Sequence, residues 1–264
     1  EFDEDRRRRW FAPLNRKHRL RREVLLKCDA LISVSRPLLE SFKSRVDDEK
    51  CMLREVRNGY DFDIPIGKPR KVRDYFRIVY AGSFYGDIKP DRFFEVLQEV
   101  GRSINYRLEI IGANKNTIRV PRTISDRVVL REKVPHEQSI KEMVDADLLL
   151  LIIPSNNRRG VYSGKLFEYL ASLTPILALV PTGDVAARLI ADCNAGYISD
   201  YDNRSGIKEA LLSAYGDWAH AKTFAPNVEV IEKHHRRQQV GILEQLIEDI
   251  TSVPDSPHLI GSGA

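Results

Sequence analysis

Little in this sequence is extreme, and its shortages narrow the field. Only three cysteines, Cys28, Cys51 and Cys193, stand among 264 residues. They form no C-x-x-C and are odd in number, which argues against a zinc site and a disulfide framework and fits a reduced, cytosolic setting. The longest pure apolar runs, such as Leu148–Ile153, fall far short of the ~18–20 residues a membrane span needs. No apolar h-region opens the chain, so no signal peptide is expected. Gly 15 and Pro 13 exclude a collagen-like or Pro-rich chain. Neither charge dominates: 42 Lys+Arg against 38 Asp+Glu leave +4, with no global field for nucleic acid. What is present, 42% apolar and 30% charged residues, suits one large or two modest folded domains.

The charge is unevenly placed. Ten Lys/Arg lie between Arg6 and Lys27 (Arg6, Arg7, Arg8, Arg9, Arg16, Lys17, Arg19, Arg21, Arg22 and Lys27), opposed there only by Glu23. Trp10, Phe11, Leu14, Leu20, Val24, Leu25 and Leu26 are interleaved with them. A basic segment with apolar anchors suits an anionic membrane surface. It equally describes a solvated helix face or terminal arm. A nucleic-acid grip is the weakest of the three readings.

After this arm, short apolar runs alternate with amphipathic stretches. Strands are expected at Ala30–Val34, Cys51–Val56, Arg77–Ala81, Arg107–Ile111, Arg127–Leu130, Leu148–Ile153, Ile176–Val180 and Gly196–Ser199. Helices are expected at Arg36–Arg45 (Pro37 at its start, Ser35 as cap), Pro90–Val100, His136–Asp145, Gly164–Ser172, Val185–Asp192 and Asn203–Trp218, with one long helix over Val228–Ile250. Continuous apolar strands alternating with helices predict an α/β fold, a doubly wound parallel sheet covered on both faces. Ligands of such sheets sit beyond the carboxyl ends of the strands, near a topological switch point. That singles out the loops after Ala81, Ile111, Ile153 and Val180. Residues 58–74, rich in Gly and Pro, read as a linker. The tail Thr251–Ala264 reads as loose.

Two of those loops carry chemistry. Ser163-Gly164-Lys165-Leu166-Phe167-Glu168-Tyr169 follows a strand and opens a helix. The first amides of a helix lack internal partners and attract anions. Ser163 can cap, Gly164 admits a close ligand, and Lys165 adds a full positive charge. The spacing is not that of a Walker A loop. Glu168, between Phe167 and Tyr169, is a carboxylate in an apolar helix. It is read equally as a partner for a sugar or ribose diol and as an i,i+3 mate of Lys165 on an exposed face. The second loop, Ala81-Gly82-Ser83-Phe84-Tyr85-Gly86, is able to turn backbone amides toward a phosphate, with Lys89 in reach. It also reads as a plain strand-to-helix turn.

The order of CDALISVS (28–35), RNGYD (57–61), IVYAGSF with Lys89 (78–89), LEIIG (108–112), ADLLLLIIPS (146–155) and SGKLFEYLASLTPILALVP (163–181) resembles the group 1, GT4-like glycosyltransferases of GT-B fold. The resemblance covers roughly residues 20–220. It implies a Rossmann-like C-terminal domain that holds a nucleotide-diphosphate sugar, with no further cofactor. Lys165 and Glu168 become the catalytic candidates: Lys165 on the diphosphate, stabilising the leaving group, and Glu168 on the ribose hydroxyls. Gly82, Ser83, Lys89, Ser163, Gly164 and Leu166 become substrate contacts. The resemblance suggests retention at the anomeric carbon, no metal, a glycan or lipid-linked acceptor in cell-surface polysaccharide or glycolipid synthesis, and a cytoplasmic location, peripheral on the inner membrane face.

The departures are specific. The first Glu of the family's E-x7-E pair falls at Gly160, and the basic residue usual after the first loop glycine is Ser83. Only about 57 residues precede the Asn58-Gly59 turn. The resemblance therefore implies that residues 1–57 are a remnant of an acceptor-side domain, that 75–225 form the donor domain, and that 226–250 cross back with little to pack on. The alternative is a binding subunit, inactive until a partner chain supplies the acceptor domain. A GT-B-fold epimerase would require further carboxylates and histidines that the sequence does not present. Asp3–Asp5, Asp61–Asp63 and Asp145–Asp147 have the Asp-x-Asp form of a metal-diphosphate site, but their positions relative to the strands mark them as structural. His234-His235, in a charged helix, are poor metal ligands.

Overall fold

A computed structural model describes residues 14–46, 50–67, 71–84, 86–113, 118–154 and 159–252. The basic residues Arg6–Arg9, the anchors Trp10 and Phe11, the Asp3–Asp5 string, Tyr85 and the tail 253–264 lie outside them. Backbone contacts divide the chain into two units: Asn58–His235, and the segments on either side of it.

The central unit is built on six parallel strands: β3 (Phe76–Ala81), β4 (Tyr106–Ile111), β5 (Val128–Arg131), β6 (Leu148–Ile152), β7 (Ile176–Leu179) and β8 (Gly196–Ser199), in the order β5-β4-β3-β6-β7-β8. Every residue of β3, β6 and β7 is buried, as expected of strands covered on both faces. Alternate side chains feed two separate cores. Val79, Ala81, Leu149 and Leu151 pack with α5 (Gly164–Ala171) and α6 (Val185–Asp192). Ile78, Tyr80, Leu148 and Leu150 pack with α3 (Asp91–Val100) and α7 (Arg204–Ala219). Truncating one such leucine to Ala costs about 2–5 kcal/mol.

The strand order reverses between β3 and β6, where registered pairing is confined to Ile78↔Leu148 and Val79↔Leu149. On its other side β3 stays paired with β4 as far as Ala81↔Ile111. The strands thus part toward their carboxyl ends and open a crevice at the switch point.

The amino end of β3 is closed instead. Arg77, 4% exposed, lies between Glu109 of β4 and Glu142 of α4 (His136–Val144), at 2.9 and 2.5 Å. Arg131 bridges the same two carboxylates at 3.2 and 2.9 Å. Asp145 takes Arg73 at 2.6 Å and Lys71 at 2.9 Å, and Asp147 accepts the Arg77 amide at 2.9 Å. Asp145–Asp147 is therefore saturated by protein groups and serves structure.

Two expected elements differ. The stretch read as a linker begins inside the central unit. Tyr60 is buried, and Phe62 and Ile64 pack on the same core. The period-2 spacing of these residues outweighs the Gly/Pro composition. The expected single helix over Val228–Ile250 is two, α8 (Val228–Glu232) and α9 (Arg236–Thr251). The backbone turns at Lys233–His235, where the Tyr60 amide donates to the His234 carbonyl at 3.3 Å and Tyr60 bridges to His235. A hydrogen bond to the strand-like segment replaces helical pairing there.

The flanking unit holds β1 (Ala30–Ser33) and β2 (Met52–Glu55) as a two-stranded parallel sheet, with α1 (Leu14–Lys27), α2 (Arg36–Lys43) and α9. Ser35 caps α2 by accepting from the Leu38 amide at 3.5 Å. Helix α9 has more to pack on than expected. Leu246 is buried, Asp249 pairs with Arg54 at 3.3 Å, and Gln239 Oε1 accepts from the Arg57 amide at 2.8 Å.

Candidate functional site

The crevice between β3 and β6 is lined by both loops singled out above. Tyr169 of α5 is fully buried, and its hydroxyl accepts the Ala81 amide at 2.9 Å. That amide lies where β3 and β6 have parted, so the tyrosine supplies the acceptor that the sheet no longer does. Burial holds the Tyr169 phenol far above its ordinary range. The bond fixes helix α5 against the end of β3.

One turn earlier on α5, Lys165 reaches across that end. Its ammonium sits 4.0 Å from the Tyr80 ring centre, a cation–π contact. It also lies over the α-carbon of Gly82: a side chain there would begin 2.8 Å from Lys165 Nζ, and Gly82 has φ +128. The positive φ favours glycine, whereas the lysine end, being flexible, could swing aside from a side chain. Tyr80 is itself stacked on Phe84, with ring centres 4.1 Å apart. Burial pushes the Lys165 ammonium down to about 8, with the charge of Glu168 working the other way. Among the described residues no carboxylate lies within ion-pair distance of Lys165 (4.0 Å). The pairing with Glu168 entertained from sequence is absent.

Glu168 turns to α4. Its Oε1 is 2.9 Å from His136 Nε2, and its side chain is 22% exposed. This pairing occupies Glu168 Oε1 and leaves its second oxygen for a further donor.

The remaining candidates divide. Gly82 and Ser83 lie beside Lys165, where Ser83 Oγ donates to the Gly112 carbonyl at 2.9 Å and Tyr80 donates to the Ser83 carbonyl at 3.3 Å. The Ser83 hydroxyl thus ties the loops after β3 and β4 together. Ser163 occupies the N-cap of α5, but its hydroxyl makes no capping bond; its carbonyl accepts the Leu166 amide at 3.0 Å. Gly164 is exposed, and a side chain there would meet nothing within 4 Å. The surface at the start of the helix is thus open beside Gly164. Leu166 is a core residue: it is fully buried and its amide is already spent. Lys89 is exposed just before α3, and its carbonyl accepts the Tyr201 hydroxyl at 3.1 Å.

Three contributors had not been singled out from sequence. Tyr169 and His136 act through contacts between distant segments, which no local pattern announces. Asp184 was legible, as an Asp directly before an apolar helix. It caps α6 through the Val185 amide at 2.7 Å and holds the Gly160 amide with both oxygens, at 2.8 and 3.1 Å. Gly160 has φ +78, a conformation that favours glycine over any side chain. Among the described residues, no group of three or more His, Cys, Asp or Glu is placed to hold a metal ion. Two cavities, of about 220 and 410 Å³, lie at the amino ends of β6 and β7, around Pro175 and Phe224, away from this site.

No protein-family model matches the chain, and no curated protein matches it. Solved structures do. The lipopolysaccharide outer core galactosyltransferase WaaB, in its apo form, aligns with TM-score 0.59 and 14% identity over 84% of this chain and 62% of its own. Sucrose-phosphate synthase from Thermosynechococcus elongatus aligns with TM-score 0.61 and 16% identity, over 90% and 62% respectively. Anabaena Alr3699/HepE in complex with UDP-glucose aligns with TM-score 0.61 and 13% identity, over 89% and 67%. At such identities the likeness is one of fold, and the fold is that of the GT-B group 1-like glycosyltransferases. The chain spans 62–67% of the length of these three structures.

Proposed function

We propose that the crevice binds a nucleotide-diphosphate sugar and that this chain is a GT-B glycosyltransferase or its donor-binding half. One observation carries the reading: a desolvated lysine with no carboxylate within ion-pair distance among the described residues, placed at the amino end of a helix beside a glycine it covers. A half-buried cation whose charge is disfavoured gains most from an anion brought to it. A diphosphate at Lys165 and the amides of α5 would restore that charge, and the same contacts strengthen as the leaving phosphate becomes more negative. Glu168, held by His136, then accepts from the ribose hydroxyls. With Lys165 and the helix terminus supplying positive charge, transfer needs no metal.

Retention of anomeric configuration, and an acceptor that is a glycan or lipid-linked sugar of cell-surface polysaccharide or glycolipid synthesis, complete this reading on the strength of the motif resemblance. Helix α1 supports a site on the inner, anionic membrane face. Leu20 and Val24, one turn apart, are 53% and 63% exposed beside the exposed Arg19 and Arg22. Among the described residues no helix is long and apolar enough to cross a membrane. Co-sedimentation with vesicles rich in phosphatidylserine, compared with neutral vesicles, tests this placement.

The alternative is a nucleotide-sugar-binding subunit that needs a second chain for its acceptor side. Gly160 favours it, since it stands where the family has its first carboxylate, in a left-handed backbone that disfavours any side chain. Titration calorimetry with UDP, GDP and their sugars, beside Lys165→Ala and Glu168→Ala, tests the shared core of both readings. Binding of one nucleotide, weakened by both substitutions, supports it; no binding to a folded chain refutes it. Sugar transfer by the chain alone, undiminished by a chelator, separates the enzyme from the subunit.

A further inference from the structure

Two of the three cysteines meet. Cys28 follows the last residue of α1, and Cys51 precedes β2; their sulfurs are 3.4 Å apart. The parallel register of the small sheet brings them together, since Ala30 pairs with Met52 and the Met52 amide donates to the Asp29 carbonyl at 2.8 Å. Cys28 Sγ also lies 3.5 Å from the Leu25 carbonyl, at the frayed end of α1. Cys28 is half-buried and within reach of a small oxidant, whereas Cys51 behind it is buried. Cys193 differs: it is fully buried in the core of the central unit.

We propose that Cys28 and Cys51 are a modification site, a dithiol that oxidises reversibly to an intramolecular disulfide. The oxidant is a small disulfide such as oxidised glutathione. The Cys28 thiolate attacks it, releasing one glutathione thiol and leaving a mixed disulfide on Cys28. The Cys51 thiolate then attacks the Cys28 sulfur and releases the second glutathione thiol. Two protein thiols are oxidised, one disulfide is reduced to two thiols, and both protons pass to solvent or to the departing thiolates. Small rotations about the Cys side-chain bonds suffice to bring contacting sulfurs to bonding distance. The bond closes a loop of 22 intervening residues that contains all of α2. Two parallel strands are too few to be stable by themselves. Tying the end of α1 to the start of β2 therefore adds a lock to the small sheet, by restricting its opened states.

The test uses the whole chain, incubated with oxidised glutathione, acid-quenched, alkylated and mapped without reduction. The expected product is lighter by two hydrogens, with Cys28 and Cys51 peptides joined, Cys193 alkylated after denaturation, and full reversal by dithiothreitol. In Cys51→Ser the reaction stops at glutathione on Cys28. Hydrogen exchange of residues 30–46 slows in the oxidised wild type and not in the glutathionylated variant. Stable glutathionylation of Cys28 in the wild type, or two free thiols after prolonged exposure, overturns the site. Exchange unchanged by oxidation overturns the lock.

Discussion

The two ends of β3 each hold a cation, and they treat it in opposite ways. At the amino end, burial acts against the charge on Arg77, but hydrogen bonds and charge from Glu109 and Glu142 outweigh burial and hold the guanidinium above its ordinary range. Those two glutamates are likewise held below the usual carboxylate range in spite of their burial, Glu109 by Arg77 and Arg131 and Glu142 by Gln138, Arg77 and Arg131. At the carboxyl end, burial wins at Lys165, and the ammonium falls to about 8. One cation is neutralised by the protein; the other, on the proposed reading, is neutralised by a bound anion. This marks the difference between a structural network and a binding site.

The comparison breaks most visibly if the arginine is removed. Arg77→Ala leaves two buried carboxylates sharing Arg131, and the expected loss is about 3–5 kcal/mol of stability in urea unfolding. Lys165→Met should keep or raise the melting temperature, since it removes a desolvated charge; a loss as large as that of Arg77→Ala would make Lys165 structural. In titration calorimetry the same Lys165→Met should weaken nucleoside diphosphate binding by roughly 10–100-fold, the scale of a charge-assisted bond.

Titration sharpens the contrast further. A bound diphosphate raises the Lys165 value, so affinity should be flat up to about pH 8 and fall as pH rises beyond it, up to about tenfold per unit. Calorimetry in buffers of different ionisation enthalpy should show proton uptake on binding near pH 8.5. At the other end of β3 the sign is reversed. Glu109 and Glu142 have folded values below their ordinary 4.5. Their contribution to stability is present above that value and is lost as pH falls through the lowered ones. Thermal unfolding between pH 6 and pH 3 should show this, with Glu109→Gln flattening the slope.

The smallest expected effect is at His136. His136→Ala removes the bond that orients Glu168 and should weaken nucleoside diphosphate binding about 3–5-fold, within the range of one hydrogen bond. The loss should shrink for a 2′,3′-dideoxy nucleotide, which has no diol for Glu168 to accept. An equal loss for both ligands would place Glu168 away from the ribose.

Much of the central unit was legible. The run Leu148–Ile152 is a strand because nothing in it tolerates water, and the helix expected at Val185–Asp192 and the strand expected at Gly196–Ser199 are found with those bounds. Tyr60, Phe62 and Ile64 were misread because Gly59, Pro65 and Gly67 around them outweighed a short alternation. The helix break at Lys233–His235 was not legible at all, since its cause is Tyr60, some 170 residues earlier in the chain. At the site, Gly82, Lys165 and Glu168 were chosen from local pattern alone. Leu166 sits on the core side of a helix whose outward positions are 165 and 168.

What the sequence determined by itself was the alternation of strand and helix, and with it the parallel sheet, the switch-point crevice and the residue types at its mouth. Those follow from periodicity, caps and glycines, which act over a few residues. Only the tertiary structure decided that Lys165 covers Gly82, with no carboxylate in ion-pair reach among the described residues, that His136 holds Glu168, and that Cys28 touches Cys51. Each depends on side chains meeting across elements, where the distance between groups and the loss of water set the charge and reactivity they carry.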